Sequence, residues 1–489
     1  MPVSSRRKHT YRPLDDDQIQ TIHQSSLEIL RDTGFEVHND RAWELYKRVA
    51  SDIDTERRII RLNEQAIADL LGTVPSQITL HGRKPEHDLH LGSGNVYFGT
   101  GGTALHMYEH RSRSTRPAKL QDLVNVIRLV DQLDNIDLML LPTYPNELPV
   151  ERVDINRFAA GLAYTSKHIM GGVYTTEGIR DVISLAQRVA GSPEKLRREP
   201  IISMITCGIS PLRLDDKYGG YMMQVAESGI PAVVPAEPLC GATAPMSLAG
   251  TLVVQNCDAL INVMLTQLVN PGTPVVYGCV ASSTDLRDLN YLGGPVESGL
   301  LNAATAQLAQ HYGVPYYATA GISDSKTLDA QCGYESAVNN LLVSLAGADF
   351  IHDAAGLMEF ALTVSTEKLV IDNEILGMAR RAVEGIKVDK NTLALDVIKQ
   401  VGPGGNFLTT RHTRRHMHSE HYRPQLSDRD KRPAWESQGE QDIAEQAHET
   451  VMRILSTPVH RYLPDTMLEE LIGLFPAIEA THIREETLA

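Results

Sequence analysis

Six aromatic residues lie on or next to short apolar runs of this sequence, although aromatic residues make up only 5% of the chain. A fully methylated nitrogen carries a spread positive charge and accepts no hydrogen bond, so proteins bind it with the faces of aromatic rings. These residues are therefore candidates for a pocket that holds a quaternary ammonium ion. Because side chains alternate along a strand, we expect about two or three of the six to line such a pocket. The six are Tyr97, Phe98, Tyr174, Tyr277, Tyr317 and Phe360.

Polar side chains near the ends of the same runs are further candidates. His352 lies between Ile351 and Asp353, where it can donate a hydrogen bond to a carboxylate or serve a purely structural role. Glu237 and Glu359 either face a cation or cap helices. The sequence leaves these alternatives open.

Covalent catalysis and metal catalysis have weaker support. A buried lysine can form a Schiff base, and Lys167 and Lys326 are the candidates, but no diagnostic run surrounds either one. The sequence contains no H-E-x-x-H motif and no Cys and His pair at strand ends in the spacing of zinc ligands. Residues 411–423 are rich in His and Arg, a composition more typical of a solvated segment. We therefore predict no metal site.

A repeating pattern of strands and helices must position these residues. Each of eight β-rich runs is followed by a helical pattern, as in residues 120–133, 177–191, 217–229 and 298–313. This repeat predicts an α/β fold of the (β/α)8 TIM-barrel class, whose reacting groups lie at the C-terminal ends of the strands. An open doubly wound sheet is the alternative, but the first turn lacks the G-x-G-x-x-G motif. The eight runs are residues 95–101, 137–143, 167–173, 200–206, 231–237, 274–280, 315–321 and 349–354.

The pattern divides the chain into three parts. Residues 1–90 form an N-terminal helical and α+β lead-in that begins with an amphipathic entry helix over 15–32. Residues 91–385 form the barrel, which carries the catalytic site. Residues 386–489 form a helical C-terminal extension packed on the barrel.

Composition limits the partners and the compartment. The formal net charge is −15, which argues against a nucleic acid or an anionic membrane as partner and is compatible with a small cation. The five cysteines are spread singly, so we expect no disulfide framework and a reducing cytoplasm. No signal peptide and no apolar stretch of about 18 residues is evident, so we expect neither export nor a membrane span.

Long blocks of the sequence resemble one known family, the trimethylamine methyltransferases. The resemblance covers nearly the whole chain, and long ungapped blocks make it specific. The blocks are VYFGTGG (96–102), PIISMITCGISPLRL (200–214), SLAGTLVVQNCDAL (247–260), the segment 315–360, KLVIDNEILGMARRAVEGI (368–386) and GPGGNFL (402–408).

The resemblance implies a reaction. Some members carry pyrrolysine just before an S-D-[AS]-K step, and here Ile322 stands at that position, followed by Ser323 to Lys326. Members without pyrrolysine act on quaternary amines, such as glycine betaine, proline betaine, carnitine or γ-butyrobetaine, rather than on trimethylamine. The resemblance thus implies methyl transfer from a quaternary amine, with glycine betaine as the first candidate, to the Co(I) of a corrinoid. A separate small protein carries this cobalamin, so the chain itself is expected to bind no cofactor. A homo-oligomer is also expected.

The resemblance to betaine-using members points to Tyr97, Phe98 and His352 as substrate-binding residues, followed by Tyr317 and Phe360. Some relatives carry an arginine near the seventh run, which here reads PYYATAG (315–321). Its absence leaves room for a longer betaine or for a substrate without a carboxylate, such as choline. Two other hypotheses are a quaternary-amine sensor on the same barrel and a Schiff-base lyase that uses Lys326.

Overall fold

A computed structural model describes residues 10–484 of the chain. Eight parallel strands close into a barrel, which confirms the predicted fold class. The last strand pairs with the first through Phe350 and Tyr97, and the register shifts between Ile351 and Ala355. The strands are β1 Tyr97–Thr100, β2 Leu138–Leu140, β3 His168–Gly172, β4 Ile202–Ile205, β5 Ala232–Ala236, β6 Val275–Cys279, β7 Tyr316–Thr319 and β8 Phe350–Ala355. All eight lie within the predicted runs, apart from one residue at the end of β8.

A long helix follows each strand on the outside of the barrel. Four of these helices end at a glycine in the left-handed region, where other residues are strained: Gly191, Gly229, Gly313 and Gly347. The helices are α1 Leu120–Asp131, α2 Val150–Tyr164, α3 Thr176–Ala190, α4 Asp216–Ser228, α5 Leu248–Val269, α6 Val296–Tyr312, α7 Ala330–Ala346 and α8 Thr366–Glu384.

Helix α5 is unusually long and apolar. Within residues 10–484 it alone has the length and hydropathy of a membrane-crossing helix, but 72% of its most apolar window is buried in the protein. It packs on β5, on β6 and on the entry helix, so a core position accounts for its composition.

The N-terminal part combines helices with short strands. The entry helix Asp16–Glu28 begins with a capping box at Asp15 and continues into a π-helical turn, Ile29–Thr33. It packs on α5. The elements that follow are Phe35–Val37, Asp40–Lys47, Asp52–Asp54, Ile59–Arg61 and Glu64–Leu71.

A β-hairpin, Ile78–Leu80 paired with Leu89–Leu91, fills the N-terminal end of the barrel. Its four leucine and isoleucine side chains form one buried cluster with the inward side chains of the strands, including Leu138, Met170 and Phe350. We call this hairpin the plug. The opposite, C-terminal end of the barrel is called the mouth.

The C-terminal part consists of short helices. Ile443–Leu455 packs on α8 and α1, whereas most side chains between residues 386 and 423 are partly or fully exposed. The division of the chain at residues 90 and 385 stays a prediction. The helices are Lys390–Leu393, Leu395–Val401, Arg411–His416, Arg432–Ser437, Ile443–Leu455, Asp465–Leu474 and Ala480–Arg484.

Candidate active site

Strands β7 and β8 direct two rings into the barrel. Alternation along the strands sends Tyr317 and His352 inward, whereas Tyr316 and Ile351 face the outer helices. The rings of Tyr317 and His352 are stacked, with centroids 4.0 Å apart and planes 11° apart. The Nε2 atom of His352 is hydrogen bonded to the Thr319 hydroxyl. The structure thus brings together two of the predicted site residues.

Asp353 lies where strand β8 departs from regular pairing. Its φ of 55° is in the left-handed region, and its Oδ1 accepts a hydrogen bond of 2.8 Å from the backbone N–H of Gly102. The same oxygen lies 3.0 Å from Nδ1 of His352, but the angles are not those of a hydrogen bond, and Nδ1 has no hydrogen-bond partner. A side chain at Gly101 would collide with Leu357 and Asp353, so the residue that follows β1 must be glycine.

Glu237 supplies a second carboxylate at the mouth. It follows β5 and interacts electrostatically with Asp353 and with Cys207, which follows β4. Tyr291, from a hairpin after β6, interacts with both carboxylates as well. The side chain of Glu237 is exposed to solvent, although protein atoms surround it closely enough to disfavour its charged form.

The electrostatics of the mouth favour a cation. Burial, and then the negative charge of Asp353, raises the pKa of Glu237 to about 7. Burial also raises the pKa of the Cys207 thiol and of the Tyr291 and Tyr317 phenols. These thiol and phenol groups therefore remain neutral at physiological pH, and the formal charge among them comes from the carboxylates.

Cationic side chains at this end of the barrel are engaged elsewhere. The Arg157 guanidinium donates to the Leu141 carbonyl, at 2.6 Å, and to Thr103. The Lys368 ammonium is buried against Asp372 at 2.6 Å. The exposed Lys326 donates to the Asp324 carbonyl at 2.8 Å.

The interior also contains an unsatisfied phenol. The side chain of Tyr317 is fully buried, and its hydroxyl has no hydrogen-bond partner. Buried polar groups are normally hydrogen bonded, so this hydroxyl is free to bind a ligand.

The structure places the two candidates on β1 away from the mouth. Tyr97 is the first residue of β1 and therefore lies at the plug end, where its hydroxyl accepts a hydrogen bond of 3.1 Å from the backbone of His90. Phe98 points outward, and the Arg380 guanidinium lies 5.3 Å from its ring centroid. Strand direction and alternation thus keep both rings away from the mouth.

Three other aromatic candidates lie outside the barrel interior. Tyr277 faces α5 and donates a 2.8 Å hydrogen bond to Asn256. Tyr174 packs edge-on against Tyr144 at 5.2 Å, in the loops after β3 and β2. Phe360 follows β8, but the ammonium of Lys326 lies over its ring at 4.2 Å, so this face is occupied.

The Schiff-base candidates do not reach the mouth as free amines. Lys167 precedes β3 at the plug end and donates to the carbonyls of Val130, Leu133 and Ile136. Burial lowers its pKa to about 8, but these three bonds occupy the ammonium. Lys326 is exposed, and its ammonium donates a hydrogen bond to the Asp324 carbonyl.

Ile322 lies in the loop after β7. It is buried, and its side chain packs directly beneath Gly293, which follows the Tyr291 hairpin. The carboxylate of Asp324 accepts hydrogen bonds from the backbone of Gly293 and Gly294 and holds this loop in place. An apolar, closely packed side chain thus occupies the position at which the resemblance puts pyrrolysine in other members.

Asp353 and Cys207 lie near the ends of predicted runs but had no predicted role, and Tyr291 was missed. The available signal was position, since Glu237 directly follows β5 and Cys207 is the second residue after β4. Tyr291 offered no such signal because a hairpin folds it back over the mouth.

Comparison with known proteins finds similar sequences over nearly the whole chain. The family model described as trimethylamine methyltransferase (MTTB) matches residues 1–475. A trimethylamine methyltransferase of Desulfitobacterium hafniense (strain DSM 10664 / DCB-2) is 32% identical over 463 residues, which cover 95% of this chain and 92% of that protein. A glycine betaine methyltransferase of Desulfitobacterium hafniense (strain Y51) is 32% identical over 476 residues, which cover 97% and 98%.

A solved structure of the monomethylamine methyltransferase of Methanosarcina barkeri aligns with 90% of this chain and 94% of its own, with a TM-score of 0.48 and 11% identity. The family match spans nearly the whole chain, and the relatives are similar over nearly their full length. The chain therefore belongs to the trimethylamine methyltransferase family.

Proposed function

We propose that this protein transfers a methyl group from a quaternary amine to the Co(I) of a corrinoid protein and releases a tertiary amine. The observation that carries the proposal is the pair of carboxylates, Glu237 and Asp353, beside the buried rings of Tyr317 and His352 at the mouth of the barrel. Carboxylates and ring faces attract a permanent cation. The apolar Ile322 supports a donor that needs no activation by pyrrolysine.

The chemistry requires little of the protein beyond binding and aiming. A quaternary nitrogen leaves as a neutral amine and keeps the electron pair of the broken C–N bond, so no general acid is needed. The corrinoid, when bound, supplies the nucleophile for the methyl carbon. Glu237 and Asp353 hold the ammonium, and the rings of Tyr317 and His352 limit its orientation. Positioning of this kind can supply a large part of the rate.

The rim of the mouth suits a protein partner. Exposed apolar side chains project from the loops that follow five of the strands, and we call them the apolar rim. Exposed apolar groups clustered around a site are typical of an interaction surface. A corrinoid-carrying protein that docks here would bring its cofactor over the cavity. The rim consists of Leu105, Ile209, Met246, Leu286, Leu289 and Leu362.

The first test is a substrate panel. Glycine betaine is the reference substrate because one relative is named for it, and proline betaine, carnitine, γ-butyrobetaine, choline and trimethylamine complete the set. Each is incubated with a reduced corrinoid protein, and corrinoid methylation is followed by absorbance. We expect transfer from at least one quaternary amine and none from trimethylamine. Binding without any transfer would instead identify a sensor.

A matched pair of variants tests the carboxylate role. Asp353→Asn should lower kcat/KM at least about tenfold by weakening the electrostatic attraction for the cation. Asp349→Asn is the control, since Asp349 lies on β8 at the plug end and accepts hydrogen bonds from Gly92 and Tyr316. Equal kcat/KM losses in the two variants would contradict the assignment.

A further inference from the structure

Residues 386–419, which we call the arm, leave the barrel at the end of α8 and return to the same place. The Arg381 guanidinium closes the base of the arm. It donates to the Gly385 carbonyl at 2.7 Å, just before the arm, and to the Glu420 carbonyl at 3.0 Å, just after it. The arm is therefore a single excursion of the chain that is anchored at both ends.

The arm has secondary structure but no core of its own. No residue of the arm is buried, and none of its apolar side chains belongs to, or packs against, the hydrophobic clusters within residues 10–484. Its helices are four, seven and six residues long. Helices this short are marginal in water unless tertiary contacts support them. The described part of one chain does not supply those contacts, so we look for them in a partner.

The arm also concentrates exposed apolar side chains. Within residues 10–484, 24 large apolar side chains are exposed, and eight of them lie in the arm. A cluster of this kind is typical of an interaction surface. One side of a standard interface consists of about 20 to 30 residues, which the arm is long enough to supply. The eight are Ile386, Val388, Leu393, Leu395, Ile398, Phe407, Leu408 and Met417.

The charge of the arm favours an acidic partner. The arm contains six lysine and arginine residues and two aspartates, whereas the whole chain has a net charge of −15. The rest of a second copy of the chain is therefore strongly acidic and attracts the arm. Contact between two arms would instead bring like charges together.

A second copy also offers an apolar surface that suits the arm. Tyr334, Val338 and Leu341 are four and three residues apart on α7, so they share one face of that helix. They are 58%, 43% and 37% exposed. Helix α7 contains Glu335 and no lysine or arginine. One chain thus carries a basic apolar arm and a non-basic apolar face, and the described residues of that chain cover neither.

The arm lies away from the proposed methyl-transfer site. Arg380, near the end of α8, donates a 2.8 Å hydrogen bond to Asp137, which directly precedes β2. The base of the arm is therefore at the plug end of the barrel. A corrinoid protein that must reach the mouth has no need of a surface at this end.

We propose that the arm packs on the exposed face of α7 of a second copy and that this contact holds a homo-oligomer together. In an assembly with two-fold symmetry the contact occurs twice, since each chain supplies one arm and one α7 face. The inference concerns assembly and does not depend on methyl transfer.

The mass of the full-length protein in solution tests the inference. We expect sedimentation velocity and light scattering to give at least two chains per particle. Leu395→Asp should raise the dissociation constant of the assembly at least about tenfold, because it places a charge in an apolar contact. Met452→Asp is the matched control, since the two side chains are 57% and 55% exposed. Thermal unfolding establishes that each variant is folded.

Further variants test the two surfaces separately. Val338→Asp should weaken association as Leu395→Asp does, and an unchanged association would overturn the α7 contact. Arg415→Glu should weaken association several-fold, whereas Arg429→Glu, outside the arm, should not. A monomeric wild-type protein would overturn the inference, as would a Leu395→Asp variant that associates as firmly as the wild type. A monomer whose Leu395→Asp variant has a raised KM for the corrinoid protein would assign the arm to that partner instead.

Discussion

At the scale of single residues, the two carboxylates of the mouth are held differently. Asp353 accepts a hydrogen bond of 2.8 Å from the backbone N–H of Gly102. Burial of Glu237 and repulsion from Asp353 raise the pKa of Glu237 to about 7. Its charge therefore changes near physiological pH, whereas the phenols and the thiol that face it, Tyr291, Tyr317 and Cys207, stay neutral.

This difference predicts a pH dependence of binding. Ionised Glu237 attracts a quaternary ammonium and protonated Glu237 does not, so affinity should rise with pH through about 7. We expect a change on the order of tenfold between about pH 6 and 8, equivalent to one pKa unit of coupling. Calorimetric titration with the tightest-binding amine of the panel measures it.

Glu237→Gln is the control and should bind with nearly flat pH dependence over the same range. A wild-type affinity that falls with rising pH would contradict the assignment. The effect on folding has the opposite sign. Because the folded pKa lies above the unfolded value, the stability associated with the protonated carboxyl is present at low pH and lost as the pH rises through about 7.

At the scale of elements, the plug closes the N-terminal end of the barrel. The hairpin buries Ile78, Leu80, Leu89 and Leu91 among the inward side chains of the strands. It also anchors Tyr97 through the backbone of His90. The N-terminal part of the chain thus completes the core of the barrel, and the site forms at the opposite end.

Truncation of the plug should affect stability and leave binding intact. Leu89→Ala removes a side chain that is 2% exposed, which should lower the free energy of unfolding by about 2 to 5 kcal/mol. Denaturant unfolding measures this loss, and amine affinity should stay at the wild-type value where the variant is folded. Leu474→Ala, at a position that is 50% exposed, should cost less than about 0.5 kcal/mol. A comparable loss of unfolding free energy in both variants would contradict the stabilising role of the plug.

At the scale of the whole molecule, the loops of the mouth combine two carboxylates, Glu237 and Asp353, with an apolar rim. Leu286 and Leu289 are 56% and 68% exposed at the tip of the hairpin that carries Tyr291. Solvent-exposed leucines of this kind contribute little to the fold of a single chain. Their position around the cavity suits a partner that must approach the bound methyl group.

Leu289→Asp should therefore raise the KM for the corrinoid protein several-fold, because it places a charge in an apolar contact, while amine affinity stays unchanged. Steady-state methyl transfer at saturating amine measures the effect. Met452→Asp, 55% exposed on the helix Ile443–Leu455, is the matched control on another surface. An equal effect of both substitutions would indicate a general charge effect rather than docking at the rim.

Local patterns in the sequence determined the architecture. Each strand is an apolar run of a few residues and each helix has its own periodicity and terminal glycine, so the (β/α)8 repeat can be predicted without knowing which residues touch. The residue at position 322 and its neighbours can likewise be compared with the family directly. The order of strands and helices and the identity of residue 322 can be read from residues that are close together in the sequence.

The composition of the mouth depended on tertiary structure. Tyr97 and Tyr317 both occur in β-rich runs, but one begins its strand beside the plug and the other faces His352 inside the barrel. The irregular end of β8 turns Asp353 toward Gly102, and a hairpin brings Tyr291 back to the mouth. Strand phase, barrel closure and loop packing are set by contacts between residues far apart in sequence. Those contacts therefore decide which side chains can meet a substrate, whereas the order of strands and helices follows from the sequence itself.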